Sequence, residues 1–186
     1  MKFAVLALAV ILAPGALAQH QTFAVNADAS EVKMTLKTTH EVVNGAFHLQ
    51  SGLVEFDRST PKMSGSVVVL AGSGKTGNGI RDKKMNKEIL QVEQHATVSF
   101  EPKSYAGVIA PSGDSTIQVT GMFTLIGAVH EMTIPMLIHL EGKAATAKAH
   151  FEIPYIQWGL KDPSFFFWKA DKDVAIDLVL TGQLSR

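Results

Sequence analysis

Gly72-Ser73-Gly74-Lys75-Thr76 ends the way a phosphate-binding loop ends, with a lysine and a hydroxyl that could meet phosphate oxygens and a magnesium ion. That motif needs a glycine five residues before Gly74, and Val69 stands there. It should also open onto an apolar helix, whereas Gly77-Asn78-Gly79 follows. The stretch reads as a glycine-rich turn leaving a strand. The seven histidines, His20, His40, His48, His95, His130, His139 and His150, are the next candidates. No pair has the i, i+4 spacing of a helical zinc site. His48, His139 and His150 fall on the polar faces of alternating stretches, where solvated histidines are the expected reading. Serine chemistry wants a Gly-x-Ser-x-Gly elbow, which the chain does not contain. Nothing singles out a pair of carboxylates for glycoside work. The absence of cysteine removes thiolate metal sites and thiol nucleophiles. No catalytic residue, metal ligand or cofactor is therefore assigned, and the expectation is that this is not an enzyme. An enzyme using surface histidines is carried as an alternative.

One further cluster stands out. Phe165-Phe166-Phe167-Trp168 places four aromatics in succession, more than one face of a strand could bury. Two of them, assigned here to Phe166 and Trp168, are expected at a cavity mouth in contact with lipid or membrane. A strand edge covered by a neighbouring loop is the competing reading.

The elements that would position these residues are strands. Side chains alternate between apolar and polar with period two over Val32–Leu36, Ile117–Leu125, Met132–Leu140, Ala145–Ile153 and Val174–Leu180. Shorter runs at 22–25, 46–50, 53–57, 66–70 and 97–103 add more. Turns are expected at Asn44-Gly45, Ser51-Gly52, Gly127 and Glu141-Gly142. Strands so frequent, each with one dry and one wet face, imply an antiparallel sheet closed into a barrel. Asn78 to Leu90 breaks the alternation. Ile80, Met85 and Ile89 fall near one side of a short helix there, amid Arg81, Asp82, Lys83, Lys84 and Lys87. An outer-membrane barrel is a second alternative, because a lipid-facing row looks like a core-facing row. The charged helix and the scarcity of Trp and Tyr, two of each, weigh against it.

Composition narrows the function classes. With 17 basic and 17 acidic residues, the chain has no basic field for a nucleic-acid backbone. Apolar residues at 46% argue for a packed fold rather than disorder. Lys2, the apolar run Phe3 to Leu12, the break at Pro14-Gly15 and Ala16-Leu17-Ala18 read as a secretory leader cleaved after Ala18. The run is too short to span a bilayer of about 30 Å. The expected organisation is a leader over 1–18 and one domain over 19–186, placed in the periplasm or secreted.

Several stretches, in order, resemble the YceI-like family of exported polyisoprenoid-binding proteins. They are Thr39-His40-Glu41-Val42-Val43-Asn44-Gly45-Ala46-Phe47, one residue longer than the family's pattern, and Gly52 to Asp57. Thr76-Gly77-Asn78 with Arg81-Asp82 follows, then Val98-Ser99-Phe100, Val119 to Gly127 with His130, and Phe151 to Tyr155 with Trp158-Gly159. The resemblance covers nearly all of the chain beyond the leader. It implies an all-β fold, an eight-stranded antiparallel lipocalin-like barrel with one inserted short helix. It also implies a long isoprenoid or fatty-acid-like ligand inside.

Such a barrel holds either its own side chains or one ligand. Ala145, Ala147, Ala149 and Gly121 would leave room, and Met34, Met132 and Met136 would line it adaptably. The apolar tunnel is assigned to Met34, Phe47, Phe100, Phe123, Met136, Phe151 and Trp158. Arg81 and Asp82 have two readings. They pin the helix to the barrel, the favoured one, or Arg81 faces a polar head group at the mouth. The expected partners are a long-chain lipid and transient membrane contact, with pairing into a homodimer compatible with such barrels.

Overall fold

The computed structural model describes residues 20–185, so the leader expected over 1–18 lies outside the described residues. The strands are β1 (His20–Val25), β2 (Glu31–Lys37), β3 (Val42–Phe47), β4 (Leu49–Asp57) and β5 (Met63–Leu70). They continue as β6 (Thr97–Gly107), β7 (Gly113–Leu125), β8 (Ala128–Glu141), β9 (Ala144–Ile153) and β10 (Val174–Ser185). Between β5 and β6 sits the short helix α1 (Gly79–Lys84), continued by one wide turn over Met85–Ile89.

All pairings are antiparallel and run β1-β4-β5-β6-β7-β8-β9-β10, and β10 returns to β1. The ring is closed. β1 and β2 lie end to end along β10, with Val25 opposite Gly182 and Glu31 opposite Val179. β3 and β4 lie end to end beside them. Counted as two bent strands, these four segments bring the barrel to eight. Each bend has a local cause. Between β1 and β2 the Asn26 side chain accepts the Asp28 N–H, and Ala27–Ala29 makes one tight turn. The Ser30 hydroxyl then accepts the Thr181 N–H at 3.1 Å, which keeps the β10 ladder satisfied across the gap. Between β3 and β4 the His48 N–H donates to the Ser73 hydroxyl instead of a neighbouring strand.

Burial follows the alternation. On β7, Ser115, Ile117, Val119, Gly121, Phe123 and Leu125 are buried, while Thr116 and Gln118 are exposed. Outward positions around the wall include Lys33, Glu131, Lys148, Glu152 and Asp177, all exposed. Charges on the outer face would be costly against hydrocarbon, which weighs against an outer-membrane barrel.

The helix begins where expected, because the Asn78 side chain accepts the N–H groups of Ile80 and Arg81. Two expected turns are not turns. Asn44-Gly45 lies within β3, and Gly45 is where a Cβ would come within 3.0 Å of Met34 Cγ. Ser51-Gly52 lies within β4 just past an irregularity between Leu49 and Ser51, with Gly52 pressed on the Val25 side chain. In both, glycine serves close approach rather than chain reversal. The Ile126-Gly127 and Gly142 turns stand as expected.

The base of the barrel is filled. Phe23, Phe56, Tyr105, Ile109, Leu140 and Leu184 are buried there, and the Tyr105 hydroxyl donates to the Asp57 carbonyl. The helix and the long β9–β10 connection sit at the other end.

The seam gives a stability test. At Gly182 a Cβ would lie 2.1 Å from the Ala24 carbonyl oxygen across the closing pair. Gly182→Ala should therefore cost about 2 kcal/mol or more in urea unfolding, by forcing the seam apart. Gly79, at the start of α1 with open space around it, is the control. Gly79→Ala should be neutral or stabilise by about 0.5–1 kcal/mol.

Candidate functional site

The barrel encloses a cavity of about 620 Å³, in the range of roughly 300–1,000 Å³ typical of small-molecule sites. Its walls are apolar along most of their length. Of the seven residues assigned to a tunnel, Met34, Phe47, Phe100, Phe123, Met136 and Phe151 line it. Trp158 does not. The strand ends at Ile153, so Trp158 follows no inward alternation. Its ring stacks on His130 with centroids 4.0 Å apart and planes within 2°, and leans on Phe123 at 5.7 Å. Ala145 and Ala147 line the cavity, whereas Ala149 is buried outside it. Met132 packs with the Phe123 cluster instead. Gly121 leaves no room for a guest. A Cβ there would meet the Glu101 carbonyl at 2.4 Å, so this glycine lets β7 pass close to β6.

Polarity is concentrated at the helix end, where Glu41, Thr76, Asn78, Arg81 and Lys84 reach the cavity. Arg81 and Asp82 meet there on Thr76. The Asp82 carboxylate accepts the Thr76 N–H at 2.9 Å and its hydroxyl at 2.6 Å. Arg81 Nε donates to the Thr76 hydroxyl oxygen at 2.8 Å and Nη2 to its carbonyl at 2.9 Å. Arg81 Nη1 reaches across to Glu41 at 3.0 Å. Thr76 is thus held by both side chains, and the helix is tied to the barrel through Glu41, the residue just before β3. Asp82 is buried, and the hydrogen bond from the Thr76 hydroxyl holds its carboxyl below the ordinary value. The structural reading of the pair describes these contacts. Arg81 also lines the mouth, with Nε, Nη1 and Nη2 each engaged in one of these bonds.

Across the mouth stands the β9–β10 connection. Phe165–Trp168 is not a strand but a tight turn, in which Phe165 and Trp168 exchange two backbone hydrogen bonds of 2.9 Å. Phe165 and Trp168 line the cavity. Phe166 and Phe167 stand at the tip, 87% and 89% exposed. The tip is anchored by the Thr39 hydroxyl, which donates to the Phe167 carbonyl and accepts the Lys169 N–H. Lys84 Nζ lies 5.8 Å from the centre of the Phe165 ring, and Lys161 pairs with Glu88. From the aromatic run it is Phe165 rather than Phe166 that joins Trp168 at the cavity, and Glu41 and Lys84 have no sequence signal for the rim, because nothing local shows that three distant segments share it.

The other chemistry-bearing residues lie elsewhere. Gly74 is packed on Phe47 and Met85, the Lys75 backbone pairs in both directions with Ala46 and the Thr76 N–H is taken by Asp82, so these two amides are spent within the fold. His139 pairs with Asp114 and His150 with Asp177 on the outer wall. Among the described residues no three His, Asp or Glu side chains converge as a metal site. Tyr155 is buried, which with the nearby carboxylates of Asp162, Asp171 and Asp173 pushes its phenol up to about 12. Its hydroxyl donates to the Asp171 carbonyl, so it serves as a neutral anchor for the connection.

The contacts around Thr76 make a pH prediction. A carboxyl with a lowered pKa in the fold contributes stability that is complete above its unfolded value, and that is lost as pH falls through the lower folded value. Asp82→Asn should lower the thermal midpoint at neutral pH and flatten its decline in acid. Thr76→Val should do the same by removing the shared partner. A midpoint-versus-pH curve for Asp82→Asn parallel to that of the parent would exclude this role.

The YceI-like domain model matches residues 23–182 of the chain. Among solved structures, the chain is similar to Burkholderia cenocepacia BcnA, at 19% identity and a TM-score of 0.69, covering 85% of this chain and 99% of that one. It is also similar to a polyisoprenoid binding domain from Saccharophagus degradans implicated in plant cell wall breakdown, at 14% identity and a TM-score of 0.65, with 88% and 98% covered. A Campylobacter jejuni YCEI protein aligns at 15% identity and a TM-score of 0.61, with 77% and 86% covered. No functionally curated protein matches in sequence.

Proposed function

This chain belongs to the YceI-like domain family, and we propose that it is an exported carrier that holds one long apolar lipid, of polyisoprenoid or fatty-acyl type, inside its barrel. The observation that carries the reading is the cavity itself: apolar walls, a filled base and polar groups gathered at one rim. Burial of an extended hydrocarbon there would gain about 25 cal/mol per Å² removed from water. The rim groups would meet a polar or anionic head, with Arg81 and Lys84 as the cations nearest to it. The polyisoprenoid-binding neighbour of the same fold supports the ligand class.

Carriage rather than catalysis is the role. His139 and His150 are each engaged by a single carboxylate, Tyr155 is held as a neutral phenol, and the residues facing the cavity are mostly hydrocarbon. Export rests on the leader read over 1–18. The site lies in the periplasm or outside the cell on this reading.

Native mass spectrometry of the protein, followed by organic extraction, should reveal a co-purified isoprenoid or fatty-acyl species. A protein that emerges empty and takes up no long-chain lipid in solution would end the carrier reading. Ala147→Phe, which places a ring in the cavity from the β9 wall, should abolish uptake while the strand signature in circular dichroism persists.

A further inference from the structure

We propose that the turn at Phe165–Trp168, together with the exposed cations of the helix, is a docking surface for a phospholipid bilayer, which brings the cavity mouth against the membrane. The turn displays aromatic surface where folding alone would hide it. Phe166 and Phe167 are 87% and 89% exposed, Phe165 is 57% exposed, and Ile80 on the facing helix is 84% exposed. The rings form a connected group. Phe165 meets Phe166 edge-on at 6.3 Å and stacks on Trp168 at 5.8 Å. Phe166 sits at φ +44°, a conformation that bulky side chains rarely adopt and that costs energy to hold. The fold bears that strain to hold up a ring that touches no core.

The position of the group identifies its partner. Phe165 and Trp168 line the cavity while the next two rings face solvent, so one apolar surface runs from the interior over the lip. Aromatic side chains of this kind settle at the boundary between headgroups and acyl chains. Charge agrees. Lys83, Lys84 and Lys87 are exposed and make no ion pair among the described residues, while Glu88 beside them is committed to Lys161. With Lys161 committed to Glu88, the connection opposite sets Lys169 and Lys172 against Asp162, Asp171 and Asp173 and carries no excess of positive charge. The free positive charge thus lies on the helix side of the mouth, next to the rings, where lipid phosphates would meet it. Apolar insertion supplies most of the attachment and the lysines a smaller, salt-sensitive part.

Flotation with vesicles of phosphatidylethanolamine and phosphatidylglycerol tests this, with uptake of a fluorescent fatty acid in solution measured in parallel. Phe166 and Phe167 do not line the cavity. Phe166→Ser with Phe167→Ser should reduce vesicle binding by about tenfold or more and leave uptake in solution unchanged. Lys83→Gln with Lys87→Gln should weaken binding to phosphatidylglycerol vesicles and remove much of its salt dependence. Acyl-chain bromination should quench Trp168 fluorescence in a Trp158→Phe background. Equal flotation of parent and ring variant overturns the proposal. So does a parent that ignores vesicles and sediments as a dimer dispersed by the ring substitutions, since the occupant is then a second copy. Loss of fatty-acid uptake by the parent, by contrast, counts against the carrier reading and not against docking.

Discussion

Closure along β10 is the constraint from which the rest of the molecule follows. One strand must be paired along its whole length by two segments that do not form a single straight run. β1 takes its last four residues and β2 its first part, with a tight turn between them. The break leaves backbone groups that a barrel wall cannot leave bare. Asn26 N–H donates to the Thr181 carbonyl, and the Ser30 hydroxyl accepts the Thr181 N–H, so one residue of β10 is satisfied from both sides of the gap. With the seam held the ring closes, β3 alone among the described strands keeping an outer edge that is met by the Ala46–Lys75 bridge, and the alternating faces acquire a fixed inside and outside.

The cavity is the consequence of what then points inward. Bulky groups from β1, β4, β6 and the β6–β7 connection meet at the base and fill it. On β9, Ala145 lies opposite Leu140 and Gly182 at the level of the base and Ala147 lies above it opposite Ile138 and Leu180, so that wall is thin in side-chain volume. The same eight strands with larger residues on β9 would be a packed core. The family relationship and the similar solved folds account for the shape, while the emptiness comes from particular small residues.

Period-two patterning made the walls legible. Ile117 to Leu125 and Ala145 to Ile153 announced their inward rows directly, and Asn78 announced the helix start. Six of the residues assigned to the tunnel lie on strands and line the cavity. Legibility stopped where that rule stops. Trp158 and Phe165–Trp168 belong to the connection after Ile153, where no periodicity assigns a direction. Glycine was the other source of error. Asn44-Gly45 and Ser51-Gly52 have turn composition, but their glycines admit Met34 and Val25 from neighbouring strands, a long-range demand that local sequence does not display. The rim is the extreme case, since Glu41, Thr76, Arg81 and Phe165 come together only through the closed ring.

A vessel filled at its base and charged only at its rim has a direction. A chain-like guest enters with its hydrocarbon end first, because the interior offers almost nothing to hydrogen-bond a head group and desolvating one there would go uncompensated. Its polar end is left among Glu41, Asn78, Arg81 and Lys84. Loading, release and any contact with a donor surface must therefore share one opening. The two sides of that opening are built differently. The helix side is fixed by buried, charge-assisted bonds through Asp82 and Thr76. The connection side is held by exposed contacts, Lys161 with Glu88 and the Thr39 hydroxyl at the tip, and contacts of that kind contribute little each. Strength on one side and exposure on the other suit a mouth whose frame must persist while its aromatic side meets a different surrounding.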